Sequence, residues 1–117
     1  NFMMYVDMIS INDFEKIDIR LGTIIEAKEY DDLRIPSILL KIDFGKDIGI
    51  KKSSAQLRKN YKAKELINQQ VIAVVNFNPK QIGKIISEVL VLGLPDKNNE
   101  PVILSPNIRL ENGVKLY

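Results

Sequence analysis

Between Val74 and Gly93 two apolar, strand-like runs are joined by a polar, basic connection containing a proline, and no other stretch narrows the fold as much. Val74, Val75 and Phe77 supply the branched and aromatic side chains that cover a pleated surface, until Asn78 and Pro79 end the ladder. Lys80, Gln81, Gly83 and Lys84 make the turn, and after Ser87 and Glu88 the chain returns to an apolar run ending near Leu94. The spacing predicts a hairpin with a cationic loop.

Period-two patterning recurs upstream. Ile38, Leu40, Ile42 and Phe44 alternate with Leu39, Lys41 and Asp43, which predicts a strand ending at Gly45. A longer strand is predicted from Asp18, with a bulge or bend at Gly22 that lets a small barrel turn its first strand around the corner. GKDIG turns the chain into a third strand over Ile50 to Gln56. A short helix is expected over Lys62 to Ile67, closed by Asn68, and Val102 to Leu104 forms a last strand after the PDKNNEP turn. Ser10 and Asp13 form a capping-box start for a helix to about Lys16, whose Ile11, Phe14 and Ile17 should pack on the core or a partner. Short strands divided by turns, with one small helix between the third and fourth, read as an all-β, five-stranded barrel with terminal extensions. Phe44 and Phe77 are expected in its core.

At 117 residues there is room for one domain, with a core over about residues 12–105. The chain has neither cysteine nor histidine. That removes disulfides, thiolate nucleophiles, imidazole bases and the usual zinc ligands, so neither metal nor cofactor is expected. Asp31 and Asp32 are adjacent and read as solvated, Ser87 beside Glu88 has no base to activate it, and no phosphate loop or dinucleotide fingerprint is present. DKNNE resembles the start of a calcium loop, but Pro101 stands where glycine is needed. No enzyme is expected. The longest aliphatic run, Val71 to Val75, is far below the ~18 residues of a membrane helix, and FMMYVDMISI lacks the basic lead of a signal peptide, so a cytoplasmic location is expected.

The net charge of +2 identifies no partner, but its distribution is informative. Lys51, Lys52, Arg58, Lys59, Lys62 and Lys64 follow one another with no acid between them, and Ser53, Ser54, Gln56 and Asn60 add hydrogen-bonding groups. Such a segment is either a solvated face or a phosphate-binding edge. Tyr61 is the lone aromatic within it, either packing the short helix or stacking on a base, so recognition through backbone and shape is favoured over base reading.

Asn76, Pro79, Lys80, Gly83, Ser87 and Glu88 together resemble the signature of the tRNA-binding oligonucleotide-binding (OB) fold family. FEKIDIRLGTIIEA (Phe14 to Ala27) and IDFGKDIGIKKSSAQL (Ile42 to Leu57) extend the resemblance over nearly the whole chain. It implies an OB barrel with an RNA-binding surface at Lys51, Lys52, Ser53, Ser54, Arg58, Lys59, Asn76, Lys80, Ser87 and Glu88. Asn76, Ser87 and Glu88 carry a second reading, in which their side chains close the hairpin onto backbone groups.

Free tRNA-binding members have His-Pro-x-Ala-Asp-x-Leu between the first two strands and Met shortly after the motif serine. This chain has YDDLRIPSILLKIDF (Tyr30 to Phe44) and Leu90 at those places. With KKSSAQL and SEVLVLG, these departures resemble the CsaA-type secretion chaperones of the same family. That resemblance implies a homodimer binding unfolded or precursor polypeptides, with tRNA and the export machinery as further partners. Phe77, Ile82, Ile85 and Ile86 are the candidate peptide groove, against the alternative that they only close the hairpin. FMMYVDMI and Val114 to Tyr117 are the expected dimer surface.

Overall fold

The computed structural model describes residues 7–117. Its frame is an antiparallel sheet of five strands in the order β3-β2-β1-β4-β7, curled into the half-barrel of an OB fold. The elements are α1 (Ile11–Glu15), β1 (Ile19–Tyr30), β2 (Ser37–Asp43), β3 (Ile50–Ala55), α2 (Ala63–Leu66), β4 (Gln70–Val74), β5 (Lys80–Ile82), β6 (Ile85–Ser87), β7 (Leu90–Val91), β8 (Gly93–Pro95) and β9 (Pro101–Ile103).

β1 makes the curl. Residues 19–23 pair with β4, and residues 23–30 pair with β2 on the opposite edge. The register with β2 slips between Ile24 and Glu26, so the bulge falls at Ile25 rather than at Gly22. Gly22 serves a different purpose. A Cβ there would lie 2.6 Å from Ile42 Cγ2 and 2.8 Å from the Phe44 ring, so the strand comes too close to β2 for any side chain. The predicted alternation on β2 holds: Ile38, Leu40 and Ile42 point inward with Phe44, joined in the core by Ile24, Leu57, Leu66, Val71, Ala73 and Val89.

Gly45 and Gly49 turn β2 into β3 with φ of 89° and 84°, and Asn68 takes φ of 71° where α2 gives way to β4. Tyr61 packs against the core and its hydroxyl accepts the Ile103 amide, which is the packing alternative. α1 carries the predicted reciprocal cap, with Asp13 N donating to Ser10 Oγ and Ser10 N to the Asp13 carboxylate. Its apolar face does not reach the core: no α1 residue is buried, and Ile11 and Ile17 stand exposed.

The edge of β1 that β2 leaves free is covered by the C-terminal segment. Gly113 N donates to Leu21 O, Leu21 N to Val114 O, and Leu116 N to Ile19 O. Gly113 has φ of 92°, and a Cβ there would meet Phe44 O at 2.5 Å, so this crossing requires glycine. Asn112 accepts a hydrogen bond from Thr23 at 2.6 Å, and Gln70 exchanges hydrogen bonds with the Leu110 backbone.

Candidate binding site

β4 and β7 are the predicted hairpin, paired at Ala73↔Val91 and Val74↔Leu90. Their connection is itself structured. β5 and β6 form a second hairpin, with Gln81↔Ile86 at its centre and Gly83 at its tip in the left-handed region (φ 59°). The tip leans on Leu33 of the β1–β2 loop, whose Cδ2 lies 3.1 Å from where a Gly83 Cβ would be. A groove opens on either side of this small hairpin.

The first groove, about 410 Å³, lies between the hairpin and the outer face of β1 to β3. Ile25, Leu39, Ile67, Ile85 and Ile86 give it aliphatic walls, and Lys28, Lys41, Lys52, Lys84 and Glu26 line it as well. Ile25 turns outward by ordinary alternation after the fully buried Ile24, and the bulge lets Glu26 follow it onto the exposed side. The second groove, about 790 Å³, is lined by Phe77, Pro79, Lys80, Ile82, Ser87, Glu88 and Leu90 among others. The four residues expected in one peptide groove are therefore divided, Ile85 and Ile86 in the first and Phe77 and Ile82 in the second. Phe77 is not a core residue: it follows the end of β4 and is 56% exposed.

The motif polar residues hold the barrel shut. Ser54 N donates to Ser87 Oγ at 3.0 Å and Lys52 N to Glu88 Oε1 at 2.9 Å, while Glu88 N donates to Lys52 O at 2.8 Å. Ser53 Oγ donates to Val89 O at 3.1 Å. Side chains thus replace a strand ladder along the outer edge of β3 and occupy its otherwise free amides. Asn76 does the same at the other end, accepting the Asp18 amide at 2.9 Å and donating to Lys16 O at 2.8 Å. Ser87→Ala and Glu88→Ala are each expected to cost about 0.5–1.5 kcal/mol in urea unfolding, with the folded fraction still binding. Unchanged stability with lost binding would instead make these side chains ligand contacts.

The basic residues are dispersed. Arg58 is engaged by Asp31 and by Glu29 at 3.5 Å, and the Asp31 carboxylate holds its guanidinium above the usual range. Lys52 and Ser53 reach the first groove, and Ser54 and Lys80 the second. Lys51, Lys59 and Asn76 line neither. Among the described residues no group of three acidic side chains is placed to hold a metal ion, and no helix is long and apolar enough to cross a membrane. Asp96 instead organises its turn, held below the usual carboxylate range by hydrogen bonds from Asn60 and the amides of Glu100 and Asn98.

The family described as "Putative tRNA binding domain" matches residues 19–115, which runs from the first residue of β1 into the C-terminal strap. The chain belongs to that family. Solved structures of the chaperone CsaA superpose closely on this tRNA-binding-type fold. The Bacillus anthracis protein is 46% identical with a TM-score of 0.88 over 95% of this chain and 100% of its own. The Picrophilus torridus protein is 51% identical with a TM-score of 0.86 over 94% of this chain and 100% of its own. The methionine–tRNA ligase of Pyrococcus horikoshii is 32% identical over 111 residues, which is 95% of this chain but 15% of that enzyme. This chain therefore spans a small part of the length of the curated relatives it matches.

The sequence did not mark Lys28, Lys41 and Lys84 as binding residues, nor Ile25, Leu39 and Ile67 as walls of a groove. Leu39 carried the one available signal, an apolar residue at an outward position of β2.

Proposed function

We propose that this chain is a CsaA-type export chaperone, a non-catalytic protein that captures unfolded or precursor polypeptides in the groove between the β5–β6 hairpin and the sheet. The observation carrying this is that groove's aliphatic lining on an outer barrel face, where a soluble protein ordinarily keeps polar side chains. Identities of 46% and 51% to the CsaA chaperones along nearly their whole length support the same reading. The protein works in the cytoplasm as a homodimer. Met8, Ile9 and Ile11 precede β1 and Ile108, Leu110 and Tyr117 belong to the strap beside it, and all are exposed, which suits a shared apolar interface. The remainder of the expected N-terminal dimer segment, residues 2–6, lies outside the described residues.

The family match and the lysines favour a second reading, a free-standing tRNA-binding protein. Salt separates the two. Capturing four phosphates would make tRNA affinity fall roughly a hundredfold between about 50 and about 200 mM salt, whereas apolar capture persists. The titration is made on protein whose light-scattering mass equals two chains; a single-chain mass removes the dimer. The chaperone reading predicts a salt-resistant precursor isotherm, and a precursor affinity that collapses in parallel with that of tRNA contradicts it.

A further inference from the structure

The lysines of the first groove are placed at a cost to the fold. Lys41 on β2 and Lys52 on β3 are direct cross-strand partners, and both are exposed. Like charges directly opposite one another on a sheet are destabilising, and nothing in the packing of these strands calls for the pair. Glu26 is the cross-strand partner of Lys41 on the other side and sits 3.3 Å from its ammonium. Among the described residues, Lys28, Lys52 and Lys84 have no carboxylate within ion-pair distance. The groove therefore has an excess of uncompensated positive charge around an aliphatic trough.

That combination specifies the chemistry of an occupant. Anionic groups complement Lys28, Lys52 and Lys84, which Glu26 leaves unpaired, and aliphatic groups fill the trough. Nucleic acid meets the first requirement and not the second, because bases bind on flat π-faces and, among the described residues, the lining contains no aromatic ring. A polypeptide with acidic and aliphatic side chains meets both.

We propose that this groove selects polypeptide segments in which aliphatic residues are bordered by Asp or Glu, with the aliphatics seated under the hairpin and the carboxylates taken by Lys28, Lys52 and Lys84. The selectivity rests on the polypeptide-capture reading of the same groove. Calorimetric titration of the full chain with three peptides sharing one aliphatic centre, flanked by Asp, Asn or Lys, tests it. The Asp-flanked peptide is expected to bind about tenfold tighter than the Asn-flanked one, with the Lys-flanked one weakest. High salt should narrow those differences while sparing the Asn-flanked affinity. Lys28→Glu combined with Lys84→Glu, both exposed positions, should reverse the order of the Asp and Lys peptides. Equal binding of all three peptides overturns the selectivity and leaves polypeptide capture standing. Binding of none removes both. Single-stranded RNA displacing an aliphatic probe from the groove, with all three peptides inert, reassigns the lysines to phosphate and overturns the proposal.

Discussion

Replacing Phe44 by alanine is expected to remove about 3–5 kcal/mol of stability, whereas Phe77→Ala should change it by less than about 0.5 kcal/mol. Phe44 is 1% exposed, and three parts of the chain meet at it. Its ring fills the space that Gly22 leaves on β1, its amide donates to Gly49 O across the turn into β3, and its carbonyl lies against Gly113 of the C-terminal strap. With the ring gone, no single neighbour can close the void, because each is fixed by a different backbone crossing. Against a total of about 5–15 kcal/mol for a typical domain, the loss is a large share. Gly22→Ala should cost about 1–3 kcal/mol by overfilling the same site. Urea midpoints measure all three, and equal midpoints for the Phe44 and Phe77 variants would contradict this core.

The period-two pattern reads Phe44 and Phe77 alike, and only the fold separates them. Local rules carried the rest of the frame: alternation on β2, the Ser10–Asp13 cap, the Gly45–Gly49 turn and the left-handed Asn68 were all legible, since each depends on neighbours within a few residues. Features set by distant backbone were not. Gly22 is needed for its approach to β2, and the bulge that relieves β1 falls three residues later. β5 and β6 are three-residue strands too short to show a period, so the connection read as a plain cationic loop. The motif residues Asn76, Ser87 and Glu88 had two readings of similar weight, because a side chain bonding to backbone 33 to 60 positions away leaves no trace in spacing. The lysines of the first groove become neighbours only through strand register.

Ile85→Asp with Ile86→Asp should weaken precursor binding by about a hundredfold or more. Each isoleucine offers an aliphatic surface worth about 1.5–3 kcal/mol when fully covered, and a carboxylate in its place must be desolvated as the ligand seats. Ile86 is 44% exposed and outside the core, so the loss should come without a matching fall in the thermal midpoint. Ile86→Ser separates the apolar contribution from the introduced charge and should give a smaller loss of the same sign. Binding unchanged in all of these variants would leave the hairpin as a simple closing element and move capture elsewhere.

Amide hydrogen exchange, followed with and without a saturating unfolded precursor, tests most directly where capture occurs. New protection is predicted on Ile25–Lys28, Leu39–Lys41 and Lys84–Ile86, the two walls and floor of the first groove. Protection confined to Phe77–Ile82, or to the Lys59–Lys64 face, with those three segments unaltered, would contradict the account.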